Sequence, residues 1–220
     1  MRSTRDIYDE YRIPPWLQLH QLRVAAVGKM VCEGLGGAAD ADLIVRTCLV
    51  HDIGAIVKFD LTPEGRSHLE NLCPTEDLPY WAGVQKEFRE RYGYKESPAT
   101  DAILRELGLE GPRSLFSRMG MANMQRMFEE DDLQAQAAQY GDTRVGPYGI
   151  VPFRDRLADV SVRYAEAFAG EGRQDEVSSY IPTLAKIEER LFSGSSIRPG
   201  DIHDAAAAPL IEELWDYPLA

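Results

Sequence analysis

The sequence predicts an all-α fold on three observations. Apolar residues recur at intervals of three and four over long stretches. No segment alternates apolar and polar residues as a half-buried strand does, and clusters of glycine and proline punctuate the periodic segments. A hydrophobic share of 44% and a charged share of 27% in 220 residues suit a chain that buries a real core. That length fits one large domain, or one domain with a helical appendage.

The elements follow in order. Pro14-Pro15 can open a helix, because proline suits the first turn. In the following WLQLHQLRVAAVGKMVCEGL, Trp16, His20, Val24, Val27 and Val31 form one apolar stripe, and Gly34, Gly36 and Gly37 stop it. Asp40 and Asp42 are cap candidates for the next helix, DLIVRTCLVHDIGAI, where Ile44, Cys48, His51 and Ala55 share a face beside Val45, Leu49 and Asp52. Residues 60–76 read as a loop with at most one helical turn. Tyr80 to Tyr92 is amphipathic, with Trp81, Val84, Phe88 and Tyr92 on one side. Ser97-Pro98 is expected to cap and start a helix that Gly108 ends, and further helices are expected at Ser114–Phe128 and Leu133–Tyr140. Residues 141–152, with three glycines and two prolines, read as a shaped loop. Helices resume at Pro152–Phe168 and Val177–Phe192. A linker, SGSSIRPGD, leads to a short last helix at Asp204–Trp215.

Composition narrows the function classes. A formal charge of -12 and the lack of a basic stripe argue against a duplex nucleic-acid partner. The one dense basic cluster, Lys86 to Arg91, is interrupted by Glu87 and Glu90 and reads as a solvated helix face. No apolar run approaches the roughly 20 residues that span a bilayer. The start, MRSTRDIYDEYRIPPW, has no signal-peptide core, so the expected address is the cytoplasm, with no membrane partner. Cys32, Cys48 and Cys73 are odd in number and far apart, which fits neither a disulfide framework nor a zinc motif. Cys32 and Cys48 are expected to act as small buried hydrophobes.

His51-Asp52 needs explanation. A histidine and an aspartate side by side near the end of an apolar helix are costly to bury without partners. Consecutive helical residues point about 100° apart, so both can flank one ion only near a helix end, and Gly54 lets the backbone open there. His20 lies on the apolar stripe of the preceding helix, and antiparallel packing brings that stripe against the His51 face. Asp142, flanked by glycine, supplies a second carboxylate; Asp155 and Asp159 lie close by but in the pattern of a regular helix.

A histidine, a His-Asp doublet and a distant aspartate, within LQLHQLRVAAVGKM, CLVHDIGAIVKFD and YGDTRVGPYGIV, resemble the HD-domain superfamily of metal-dependent phosphohydrolases over about residues 14–165. The resemblance implies an HD-domain-like helical bundle, expected over residues 1–192; residues 193–220 are expected to form a linker and C-terminal helix packed on the same domain. It implies that His20, His51, Asp52 and Asp142 hold a divalent transition metal, one of Mn, Fe, Co, Ni or Zn. Four ligands on an octahedral ion leave two positions for water and substrate. His68 is the one histidine between the doublet and Asp142, so a mononuclear site is favoured over a two-metal site. The doublet is followed by IGA and not by a Glu-Asp pair, which argues against guanosine-tetraphosphate hydrolysis.

The expected activity is that of a phosphomonoesterase acting on a nucleotide or another small phosphorylated metabolite. Metal-activated water attacks phosphorus, and Asp52 is the candidate proton acceptor. Lys58 and Arg144 are the expected catalytic cations and also bind substrate, joined by Arg23 and by Tyr148, a candidate stacking residue. An HD-fold module that binds metal or nucleotide as a sensor is the alternative, and a di-iron oxygenase ranks last for want of histidines. His203, also beside an aspartate, reads as a helix cap. The segment after Ser193 admits three roles: a packed lid, a homodimer arm or a tethered tail.

Overall fold

The computed structural model describes residues 2–62, 72–163 and 176–220. Eleven α-helices occur among them: α1 (Thr4–Glu10), α2 (Pro15–Gly34), α3 (Ala41–Val50), α4 (Leu78–Tyr92), α5 (Glu96–Glu106), α6 (Glu110–Phe116), α7 (Met124–Glu129), α8 (Leu133–Thr143), α9 (Phe153–Arg163), α10 (Glu176–Phe192) and α11 (Asp204–Leu214). Among the described residues there is no strand, only the isolated bridges Ser3–Pro218 and Val145–Ile150. The all-α expectation holds.

The long helix α2 is the axis of the fold. Besides its expected stripe it buries Leu17, Leu22, Ala25, Ala26 and Gly28, because α3, α8 and α11 all pack on it. A helix apolar on most sides belongs in the middle of a bundle. Close approach is built into the sequence. A Cβ on Gly28 would sit 3.2 Å from Ile44 of α3, and one on Gly141 would sit 3.0 Å from the Val24 carbonyl of α2.

Several helix ends follow the sequence. Asp40 caps α3 by accepting the Leu43 N–H at 3.0 Å. Gly108, with φ of 70°, ends the helix before it. Others differ. Ser97 is not the cap of α5, which starts two residues earlier than expected, at Glu96 after Lys95. The helix expected over Ser114–Phe128 is broken at Gly120, whose φ of 102° no helix accommodates. Residues 164–168 of the helix expected from Pro152 lie outside the described residues, as does most of the 60–76 loop.

The segment after Ser193 packs back on the bundle. α11 rests on α2, the Tyr217 hydroxyl donates to Asp42 at 2.7 Å, and Leu219 is buried. Arg2 and Thr4 donate their backbone N–H groups to the carbonyls of Ala220 and Tyr217. No helix among the described residues is long and apolar enough to cross a membrane.

Candidate metal centre

Helices α2 and α3 run antiparallel, so the start of the first meets the end of the second. His20 lies in the second turn of α2, and His51 is the residue that closes α3. Their rings stand 5.4 Å apart between centroids. Beyond His51 the chain leaves the helix and enters a short 3-10 turn, Ala55–Lys58. That break lets His51 and Asp52 face the same space despite adjacent positions.

Gly54 makes the break possible, by a route the sequence did not suggest. Its φ of -92° is open to any residue, but a Cβ there would lie 2.5 Å from the Thr100 backbone nitrogen. The glycine lets α5 come against the doublet, and the Gly54 N–H donates to the Thr100 hydroxyl at 3.2 Å. The Asp52 N–H donates to Oε1 of the fully buried Gln21 at 3.2 Å, which ties the doublet to α2 beside His20.

Asp142 arrives from α8, which packs on both α2 and α3. It lies in the last turn of α8, not in a loop. The helix runs through Gly141 because that glycine is used for close contact with α2, not for a turn. Asp142 Oδ1 stands 3.3 Å from His20 Nε2 and 3.6 Å from His51 Nε2. Asp52 places one oxygen 3.7 Å from His20 Nε2 and the other 3.8 Å from His51 Nε2. Donor atoms of His20, His51 and Asp52 lie within 4.8 Å of one another. Asp142 falls outside that tight trio while touching both imidazoles.

The polarity of His51 is set by its other nitrogen. Nδ1 lies 2.8 Å from the Cys48 carbonyl and donates to it, which turns Nε2 toward the carboxylates. That Nε2 is buried and has no hydrogen-bond partner, its carboxylate neighbours being too distant. Burial alone would lower the His51 pKa, but Asp52 and Asp142 outweigh it and push it up to about 9. Burial likewise works to raise Asp52, yet His51, Lys58 and His20 hold it well below the usual carboxylate range. Asp142 is held low by the two histidines in the same way. Two half-buried carboxylates facing two imidazole Nε2 atoms form a donor set that a divalent cation would hold together, displacing the imidazole proton. The carbonyl-anchored imidazole is the usual support of such a ligand.

The cluster lies between two clefts. One, of about 280 Å³, is lined by His20, Asp52 and Asp142 together with Trp16, Phe59, Met121, Lys58 and Arg156. The other, of about 310 Å³, reaches His51 past Ser97, Ser117 and Asn123. Glu96, Gly120 and Gln139 border both. Gln139 is fixed there by accepting the Gly120 N–H at 2.6 Å.

The expected cations fare unequally. Lys58 lines the first cleft and pairs with Glu96 at 2.7 Å. Arg144 does not reach the cluster. Only 3% exposed, it donates to the Tyr140 hydroxyl and to the carbonyls of Val151, Pro199 and Ile202. Arg23 faces α11 and pairs with Asp204 at 3.5 Å, away from Asp52. Tyr148 is 64% exposed and lies outside both clefts, because the loop closes on itself through Gly146 and Gly149 and turns outward. Asp159 pairs with Arg156 on α9 at 2.9 Å. His203 caps α11, accepting the Ala206 N–H at 3.3 Å, as expected. His68 lies outside the described residues.

Three residues at the centre were missed. Glu96 is pushed up to about 7 by burial and by neighbouring Asp52, against the pull of Lys58. It is an ordinary acidic residue at the start of a helix, and nothing in the sequence sets it apart. Arg156 is equally unmarked. Gln139 did carry a signal: Gln136, Gln139 and Asp142 recur every third residue in an alanine-rich helix, and both glutamines are buried.

Residues 18–77 match the HD domain family model, a span that includes His20, His51 and Asp52 and stops short of Asp142. No curated protein and no solved structure matches the chain.

Proposed function

We propose that the chain, whose residues 18–77 match the HD domain family model, is a metal-dependent phosphohydrolase, and within that class a phosphomonoesterase acting on a small phosphorylated metabolite such as a nucleotide. One observation carries the reading: the buried His51 Nε2, deprived of any hydrogen-bond partner and held among carboxylates by the Nδ1 anchor. A buried polar atom left without a hydrogen-bond partner costs about 1–3 kcal/mol. A metal ligand is the role that repays it here.

In this reading His20, His51, Asp52 and Asp142 hold one divalent transition ion. When bound, such an ion polarises a phosphoryl oxygen and lowers the pKa of water. The rest is done by side chains. Lys58 lines the cleft and offers its ammonium to the phosphate. Arg156 takes the part first assigned to Arg144, since it is the arginine that lines the same cleft. Gln21 and the Cys48 carbonyl orient Asp52 and His51.

The test is metal analysis of protein purified without chelator, followed by phosphate release from a panel of phosphomonoesters with Mn²⁺, Co²⁺ or Ni²⁺. About one ion per chain is expected, with release abolished by His51→Ala. No ion under any loading condition overturns the reading. An ion bound without any turnover favours the sensory module instead.

A further inference from the structure

The two clefts that meet at the cluster differ in chemistry. The first carries an apolar wall of Trp16, Leu17, Phe59, Leu72, Met121 and Pro147, and it also holds Lys58 and Arg156. The second offers the neutral polar groups Ser97, Ser117 and Asn123, and among the described residues no lysine or arginine lines it. A phosphorylated substrate is itself divided into an anionic end and a body. Only the first cleft supplies both cations and a surface for the body.

The wall is aromatic and rigid. Trp16 meets Phe59 edge-to-face at 6.2 Å and Trp81 likewise at 5.5 Å, so its ring is braced on two sides before any ligand arrives. Preorganised rings bind a flat partner at low entropic cost. A polyhydroxylated body would lose water against the same side chains and gain no partners for its hydroxyls. The cleft volume lies at the low end for small-molecule sites, which suits one ring rather than an oligomer.

Building on the phosphohydrolase reading, we infer that the substrate is a phosphomonoester with a flat aromatic body, seated on Trp16, Phe59 and Met121 with its phosphate toward Asp52. Trp16 and Met121 are then the residues that set specificity.

The experiment compares three esters that share a primary-alcohol leaving oxygen: benzyl phosphate, hexyl phosphate and glycerol phosphate, with Mn²⁺-loaded protein. Benzyl phosphate is expected to exceed glycerol phosphate in kcat/KM by about 10-fold or more, mostly through KM. Trp16→Leu and, separately, Met121→Gln should each shrink that ratio by raising KM for the benzyl ester. The second variant guards against misfolding of the first. Equal use of glycerol phosphate, or a preference for hexyl over benzyl phosphate, overturns the inference. If no ester turns over, the phosphohydrolase reading fails by itself. Quenching of tryptophan fluorescence by benzylphosphonate in the same protein then decides the cleft question: saturable quenching, absent with an equally charged glycerol analogue, supports it, and no quenching overturns it.

Discussion

At the scale of single residues, burial decides what each group is for. Cys32 and Cys48 are both buried, and burial pushes the Cys32 thiol up to about 12 and Cys48 well above its usual value. A thiol kept protonated is a poor nucleophile. The folded protein at pH 8 should therefore leave both unreactive toward a disulfide reagent, whereas the denatured chain titrates all three cysteines. Rapid modification of Cys48 in the folded state would contradict the burial. The linked stability has a definite sign. The folded pKa is raised, so the contribution is fully present below the unfolded value near 9 and declines as pH climbs toward about 12. Legibility at this scale was uneven. His20 and His51 could be read because they sit on the facing stripes of two consecutive helices, and Asp52 because Gly54 marked a helix end beside the doublet. Arg144, Arg23 and Tyr148 were assigned by nearness in sequence, which does not fix direction: Arg144 turns into a nest of carbonyls and Tyr148 out to solvent.

At the scale of elements, contact distance between helices governs the centre. At Gly54 the backbone of α5 leaves no room for a side chain. Gly54→Ala should cost about 1–3 kcal/mol through overpacking, measured as a fall in thermal midpoint. Because Asp52 and Gly54 share one turn, the variant should also bind metal more weakly. An alanine variant with wild-type stability would mean α5 yields freely. Helix existence was legible from period, yet this contact was not: a glycine that admits a neighbouring backbone looks in sequence like one that permits a turn. Asp142 shows the same ambiguity, since Gly141 invited a loop where α8 in fact continues.

At the scale of the molecule, Arg144 is a hub. It joins α8 to the Val151 segment and to the turn before α11, so it holds the last part of the chain against the bundle. Arg144→Met should lose about 2–4 kcal/mol, since several buried carbonyls and the Tyr140 hydroxyl lose a charged donor. The melting temperature should drop while the metal stoichiometry of the folded protein is kept. Loss of metal at unchanged stability would return Arg144 to the site.

The four side chains around the cluster come from α2, the end of α3 and the end of α8. Any piece of the chain that ends before α8 carries three of them, the same three that the matched span contains. The histidine-aspartate motif is therefore not a cassette that can be lifted into another scaffold and retain its fourth group. What can be transplanted is the packing of α2 against both neighbours, with Gly28 and Gly141 as its fitted joints.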